Sequence, residues 1–113
     1  MHELGITENI IAIVTEHAQE TKAKKVTKIR LQIGEMTQIV DDCISFYFEQ
    51  LSEGTVAEGA ELEFEKIPIR VRCSKCGAEK EASDYDFICP SCRTVCIEFL
   101  TGRELAVDNI EIE

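Results

Sequence analysis

Cys73-Ser74-Lys75-Cys76-Gly77 and Cys89-Pro90-Ser91-Cys92 each contain a Cys-x-x-Cys hook, and twelve residues separate the two hooks. Two hooks at this spacing can bring four thiolates to the corners of a tetrahedron around one ion, and Zn²⁺ is the usual occupant. Gly77 follows the first hook, where a tight turn needs a positive φ. The pattern predicts a zinc site formed by Cys73, Cys76, Cys89 and Cys92.

Two other interpretations of the hooks stay open. Disulfide pairing is disfavoured, because nothing in the sequence indicates a secreted chain. Rubredoxin-type iron sites use similar hooks, but the loop between these two is short and offers only Tyr85 and Phe87 as aromatic cover. A closed four-cysteine zinc site leaves no coordination position for water or substrate, so we expect it to be structural.

Residues 69–97 hold five of the six cysteines and few large aliphatic side chains. A stretch of this size cannot build a stable core alone, so metal ligation must supply much of its folding free energy. We predict a zinc-binding domain over 69–97, inserted into a discontinuous domain made of residues 1–68 and 98–113.

The rest of the chain alternates between helical and strand-like patterns. We predict a helix over about 5–21, a strand from Val26 to Ile33 ended by Gly34, a helix from Asp41 or Asp42 towards Gly54, and strands over Glu61–Ile67 and 103–112. The first helix should bury an apolar stripe, with Asp41 or Asp42 capping the second. The predicted stripe comprises Leu4, Ile6, Ile10, Ile11, Ile13, Val14 and Ala18. The fold class is therefore α+β: two helices and a sheet of about three strands with a zinc-ribbon-like lobe inserted.

Composition excludes some functions. The 113 residues carry a formal net charge of −10, which argues against a nucleic-acid binder that relies on Lys and Arg. The first residues lack the features of a signal peptide, and no apolar run approaches the roughly 18 residues needed for membrane insertion. We therefore expect a cytoplasmic protein. Enzyme motifs are lacking, and Cys43 and Cys96, outside the hooks, are expected to be small packing residues.

The beginning of the chain, Met1-His2-Glu3, is a second candidate metal site. A bulky second residue disfavours removal of Met1, which would leave a free α-amine with a pKa of about 7.7–8.0. This amine, a backbone nitrogen and the His2 imidazole can close small chelate rings, and Glu3 can add a carboxylate or its amide nitrogen. Nitrogen-rich tetragonal coordination suits Ni(II) and Cu(II). The pattern alone nevertheless favours a frayed, solvated terminus. His17 is expected to be a surface or packing residue.

Several segments together resemble the HypA (HybF) family of nickel metallochaperones, which help to mature [NiFe]-hydrogenases. The resemblance spans essentially the whole chain and rests on the following segments in this order: Met1-His2-Glu3-Leu4, Arg30-Leu31-Gln32-Ile33-Gly34-Glu35, Gly59-Ala60-Glu61-Leu62, both cysteine hooks and Thr101-Gly102-Arg103-Glu104-Leu105. One departure is Arg93, since many relatives have Gly after the second hook, and this change puts the turn of that hook in doubt.

The resemblance implies roles for individual residues and reverses the interpretation of the N-terminus. His2 matches the key nickel ligand, Glu3 matches its supporting residue, and the four hook cysteines match structural zinc ligands. The implied function is delivery of Ni²⁺, not catalysis. The implied partners are a HypB-like nickel-binding GTPase and the precursor of the [NiFe]-hydrogenase large subunit. The alternatives are a zinc-ribbon interaction module without nickel function and a rubredoxin-like electron carrier.

Overall fold

A computed structural model describes residues 3–96 and 98–113 of the chain. The elements are α1 (Glu3–Glu20), β1 (Val26–Gly34), a 3₁₀ turn (Glu35–Thr37), α2 (Asp41–Leu51), β2 (Glu61–Ile67), β3 (Arg70–Arg72), β4 (Glu79–Glu81), β5 (Glu98–Thr101) and β6 (Leu105–Ile112). In this part of the chain the strands form two three-stranded sheets, with the orders β2-β1-β6 and β4-β3-β5. The α+β prediction is confirmed. Strands β3 and β4 of the second sheet lie within the predicted insertion of residues 69–97, whereas β5 follows it.

The chain divides into two compact units. The first comprises Met1–Gln32, Ile39–Glu65 and Ala106–Glu113, and the second comprises Ile33–Gln38 and Lys66–Leu105. The first unit contains both helices and most of the β2-β1-β6 sheet. The second contains the β4-β3-β5 sheet and both cysteine hooks. Among the described helices, none is long and apolar enough to span a bilayer.

Helix α1 buries a row of residues that differs from the predicted apolar stripe. Its buried residues are Glu3, Thr7, Ile10, Val14 and Ala18. Leu4 and Ile13, both predicted to be inside, are exposed. The buried row accommodates a polar residue because the Thr7 hydroxyl donates a hydrogen bond to the Glu3 carbonyl at 2.7 Å. The predicted stripe is therefore wrong at Leu4 and Ile13, whereas its members Ile10, Val14 and Ala18 are buried as predicted.

Helix α2 begins one residue after its N-cap, which is Val40. The prediction of Asp41 or Asp42 as the N-cap is wrong, because both lie in the first turn, where acidic side chains still interact favourably with the helix dipole. Glu3 Oε2 accepts a hydrogen bond from the Val40 N–H at 3.4 Å. A carboxylate from the start of α1 thus lies against the start of α2.

The β2-β1-β6 sheet carries charges on its outer face. In β1, Ile29 and Leu31 are buried while the intervening Arg30 is part-exposed, which confirms the predicted alternation. Lys28 Nζ lies 2.9 Å from Glu63 Oε2, and Arg30 lies 2.7 Å from the other oxygen of Glu63. The hydrogen bond and charge of Lys28 lower the pKa of Glu63. The positive charges of β1 therefore pair with acidic residues of β2.

The second unit has a small core around its central strand, β3. Strand β3 pairs antiparallel with both β4 and β5. The buried cluster comprises Ile69, Val71, Cys73, Ala82, Cys89 and Cys96. Phe87 and Phe99 pack against this cluster, and the centroids of their two rings lie 5.6 Å apart. Half of this cluster is cysteine, so few large aliphatic side chains support the hooks. Cys96 is a packing residue, as predicted.

Candidate metal centre

The first hook is a tight turn that returns the chain to β4. The Gly77 N–H donates to the Cys73 carbonyl at 2.9 Å, and the Cys73 N–H donates to the Ala78 carbonyl at 2.8 Å. Gly77 has φ of +77°, as the sequence predicted, and a Cβ placed there would meet nothing within 4 Å. The turn therefore needs a left-handed backbone, which glycine adopts without strain.

The second hook forms the same turn over the same number of residues. The Arg93 N–H donates to the Cys89 carbonyl at 2.9 Å, and the Cys89 N–H donates to the Thr94 carbonyl at 2.7 Å. Arg93 occupies the position equivalent to Gly77 and has φ of +60°. The departure from glycine therefore leaves the turn intact and places a non-glycine residue in the left-handed region, at an energetic cost.

The two turns bring all four hook sulfurs together. The Sγ atoms of Cys73, Cys76, Cys89 and Cys92 lie within 4.8 Å of one another. The sulfurs of Cys73 and Cys92 lie 3.3 Å apart, and those of Cys76 and Cys89 lie 3.6 Å apart. Each close pair joins one hook to the other, and all four cysteines are free thiols.

These sulfur–sulfur distances fit tetrahedral coordination of one ion. A regular ZnS₄ tetrahedron with bonds of about 2.3 Å has edges of about 3.8 Å, which is close to the observed sulfur distances. Disulfides would need about 2.05 Å. Cys73 and Cys89 are buried and Cys76 and Cys92 are exposed, so the site lies at the edge of the lobe. The four sulfurs are therefore close enough together to hold one metal ion, and would leave it no open position.

Hydrogen bonds favour the thiolate form of the first cysteine in each hook. The Thr94 hydroxyl, 3.5 Å from Cys73 Sγ, lowers the pKa of Cys73 to about 5, helped by the Cys76 N–H. The Cys92 N–H lowers the pKa of Cys89 in the same way. The Ala78 N–H acts to lower the pKa of Cys76, but the neighbouring thiols outweigh it and raise that pKa to about 11.

Without metal, these contacts favour negative charge on Cys73 and Cys89 and disfavour it on Cys76. A bound dication would favour thiolate at every position, and its binding would release protons.

Thr94 contacts the sulfur cluster, and the sequence did not indicate this contact. Its hydroxyl lies 3.0 Å from Cys92 Sγ as well as 3.5 Å from Cys73 Sγ, so it bridges the two hooks. It occupies the position that Ala78 occupies after the first hook. No spacing rule signals such a contact, because it depends on how the two turns face each other.

The other predicted site residues lie apart from this cluster or outside the described residues. Met1 and His2 are outside them. Glu3, the third residue of the predicted nickel site, begins α1 and is buried. His17 is exposed, 3.8 Å from Glu20. Cys43 is exposed, so its prediction as a packing residue is wrong.

Comparison with known proteins identifies relatives over the full length. A family model described as "Hydrogenase/urease nickel incorporation, metallochaperone, hypA" matches residues 1–112. The hydrogenase maturation factor HypA of Nostoc punctiforme is 47% identical over 113 residues, which cover 100% of this chain and 96% of that protein. The corresponding protein of Caldanaerobacter subterraneus subsp. tengcongensis is 42% identical over 115 residues, with both chains covered completely.

Solved structures agree with these relatives. The solution structure of the Ni metallochaperone HypA from Helicobacter pylori matches with a TM-score of 0.72 and 25% identity, covering 99% of this chain and 97% of that one. A second solution structure of a HypA protein has a TM-score of 0.76 at 24% identity, covers 100% of this chain and 97% of that one, and shows the same fold. The chain therefore belongs to the HypA family of hydrogenase maturation factors, and it is a metallochaperone and not an enzyme.

Proposed function

We propose that this protein carries Ni²⁺ at Met1, His2 and Glu3 and delivers it for [NiFe]-hydrogenase maturation, while Cys73, Cys76, Cys89 and Cys92 hold a structural Zn²⁺. The observation that carries the proposal is the family match over residues 1–112, which includes both predicted metal sites. The domains we assign are a nickel-binding domain of residues 1–68 and 98–113 and a zinc-binding domain of residues 69–97.

The assignment of zinc to the hooks rests on ligand chemistry. Four thiolates in a tetrahedral arrangement suit Zn²⁺, whose structural sites are closed. Such a cage would retain its ion too strongly for easy transfer, so it suits a permanent ion better than a cargo. Because half of the small buried cluster around the hooks is cysteine, the ion would contribute directly to folding of the lobe.

The position of Glu3 supports a nickel site at the start of the chain. As the first residue of α1, Glu3 has a backbone N–H without an acceptor inside the helix. Its amide nitrogen could therefore release its proton to solvent and bind a metal without breaking a helical hydrogen bond. Its carboxylate already accepts a hydrogen bond from the Val40 N–H. We therefore assign the carboxylate chiefly to holding the start of α1 in place, with the His2 imidazole as the main donor.

The proposed cycle uses two protein partners in the cytoplasm. A HypB-like nickel GTPase exchanges nickel with the first unit, and the hydrogenase large-subunit precursor receives it. A site with few ligands at a chain terminus suits reversible binding, whereas a thiolate cage does not. Copper is expected to compete in vitro, as the Irving–Williams order requires, so selectivity must come from metal availability and from the partners.

The test is metal analysis and nickel calorimetry on untagged protein, with mass spectrometry to establish that Met1 is retained. We expect one Zn²⁺ per chain after purification and one added Ni²⁺ in the titration. Glu3→Ala should weaken nickel binding less than His2→Ala, because it leaves the imidazole and the amide nitrogen of residue 3 in place and removes only the carboxylate that holds the start of α1. Glu3→Gln is the matched control, since it keeps an acceptor for the Val40 N–H.

Two further variants test the ligands separately. A short N-terminal extension converts the Met1 α-amine to an amide and should impair nickel binding while zinc content stays the same. Lowering the pH below about 6.5 should also weaken nickel binding, because protons then compete for the His2 imidazole. Stoichiometric iron in the purified protein would overturn the zinc assignment, and absence of a nickel titration signal would overturn the cargo site.

A further inference from the structure

The outer face of α2 carries an exposed aromatic side chain. Ile44 and Phe48 are the buried residues of this helix, and Phe46 lies between them in sequence, about 200° around the helix from each. Phe46 is 58% exposed. Its ring packs edge-on against Tyr47, with 5.5 Å between centroids. Leu51, five residues further along α2, is also exposed.

Phe46 lines an open groove of about 860 Å³. The groove is lined by α2, by the chain that follows it and by the start of β2, all within the first unit. Its apolar lining includes Phe48 and Leu62, and its acidic lining comprises Glu49, Glu53 and Glu58.

The wall of this groove is already ordered by its own hydrogen bonds. Glu58 Oε1 accepts from the Gly54 N–H at 2.6 Å, and the Thr55 hydroxyl donates to the Ser52 carbonyl at 2.6 Å. Ser52 and Ala57 are fully buried beneath the loop. A partner that enters the groove would therefore not have to order it, which lowers the entropic cost of binding.

The segment that lines the groove contains acidic residues but no basic ones. Residues 39–65 contain eight Asp and Glu residues and no Lys or Arg, although the whole chain has twelve basic residues. The acids of β2 are paired, since Lys28 lies near Glu61 and Glu63. Glu49 and Glu53 form no ion pair with any residue in the described part of the chain. Their charge is available to a ligand.

We propose that the groove between α2 and β2 docks a basic segment of a partner protein, with an apolar side chain of that segment against Phe46 and its Lys or Arg residues beside Glu49 and Glu53. Charge complementarity selects this occupant, because an acidic surface speeds association with a basic one and disfavours acidic partners. An anionic membrane surface is disfavoured for the same reason. The inference goes beyond the proposed nickel and zinc functions, since it uses none of their ligands.

A second copy of the chain is the competing occupant. Lys22, Lys24 and Lys25 form a short exposed basic segment, which could enter the groove of another molecule. Such a contact joins different surfaces head to tail, so it would produce rings or open chains of copies and not an isologous pair. The test must therefore report oligomeric state as well as binding.

The first part of the test is photocrosslinking with full-length, metal-loaded protein that carries benzoylphenylalanine at position 46. The protein is incubated with extract of its source cells, and the crosslinked peptide is sequenced. We expect one main adduct, joined to a segment with two or more Lys or Arg residues beside an apolar residue. The matched control carries the photoreactive residue at Gln19, an exposed position on α1, and should not give this adduct.

The second part measures affinity for a synthetic peptide of the sequenced segment. Phe46→Ala should weaken binding by at least about tenfold, as expected for an aromatic anchor. Glu49→Lys with Glu53→Lys should weaken it further and flatten its dependence on salt. Glu8→Lys with Glu16→Lys makes the same charge change on exposed positions of α1 and should leave affinity unchanged.

Thermal unfolding and nickel and zinc content show that the variants remain folded, and Phe46→Gln replaces Phe46→Ala if the latter does not. Several outcomes would overturn the proposal. These are no adduct, an adduct to an acidic segment, an adduct to residues 22–25 of a second copy with matching oligomers, or affinity that Phe46 and the two glutamates do not affect. None of these outcomes alters the nickel or zinc assignments, so the two proposals fail independently.

Discussion

Arg93 makes a sharp test of how the hooks are built. The two hooks have the same turn and the same hydrogen bonds, yet one has Gly77 and the other Arg93 at the left-handed position, with φ of +77° and +60°. Replacing Arg93 with glycine should therefore stabilise the lobe, and replacing Gly77 with alanine should destabilise it.

The magnitudes follow from backbone energetics. A non-glycine residue in the left-handed region destabilises the folded state by about 1–2 kcal/mol. Glycine avoids this strain, but it lowers the free energy of unfolding by about 0.4–1 kcal/mol because the unfolded chain gains conformational entropy. The net gain from Arg93→Gly is about 1 kcal/mol. Gly77→Ala should lose about the same amount, since a Cβ at Gly77 meets nothing within 4 Å and adds no clash.

The assay is competition for zinc with a chelator, because metal binding and folding of the lobe are coupled. A change of about 1 kcal/mol corresponds to about a fivefold change in apparent zinc affinity. Arg93→Gly should bind more tightly and Gly77→Ala more weakly. Arg93→Ala keeps the left-handed strain but removes the exposed charge, so it should change affinity by less than about twofold.

A loss of affinity in Arg93→Gly would refute the strain argument, because it would mean that the arginine side chain stabilises the turn. An equal gain in zinc affinity for Arg93→Ala would also refute the strain argument, because the effect would then come from removing the charge of the arginine.

Three further predictions concern the two units. Cys76→Ser should abolish stoichiometric zinc binding and speed hydrogen exchange over residues 69–96, while the first unit stays protected from exchange. An equal loss of protection in both units would contradict the division of the chain into two units. Gly34→Ala should destabilise the protein by about 2–3 kcal/mol in chemical unfolding, because its Cβ would overlap the Gly102 carbonyl; an unchanged midpoint would show that the backbones separate freely. Glu63→Gln should lower thermal stability above pH 4.5, where the unfolded-state carboxylate is charged. This difference should vanish as pH falls through the lowered pKa that Lys28 gives Glu63, and a difference that persists in acid would rule out that pairing.

Local patterns predicted both helices and the strands of the β2-β1-β6 sheet, but they did not predict the short strands β3, β4 and β5. Strand β2 spans Glu61–Ile67 as predicted, and β1 runs from Val26 to the glycine expected to end it. The four hook cysteines meet as their spacing predicted. In each case the signal lies within a few neighbouring residues, through alternation, a terminating glycine or a fixed ligand spacing.

The features that the sequence did not predict depend on contacts between distant residues. The sequence predicted an aspartate cap at the start of α2. Instead, the carboxylate of Glu3, 37 residues before Val40, accepts a hydrogen bond from the Val40 N–H. Thr94 reaches the sulfur of Cys73, 21 residues away. The buried row of α1 includes Glu3 and Thr7 in place of Leu4, because tertiary packing selects the face and local hydrogen bonds accommodate the polar residues.

Nickel calorimetry on untagged His2→Ala beside the wild type, with zinc measured in the same samples, tests the central claim most directly. The imidazole is the main proposed nickel donor, and the zinc ligands lie far away in sequence at 73–92. We predict that His2→Ala retains one Zn²⁺ per chain and loses specific Ni²⁺ binding. Nickel binding as tight as in the wild type, with zinc unchanged, would contradict the assignment of the cargo site to the start of the chain.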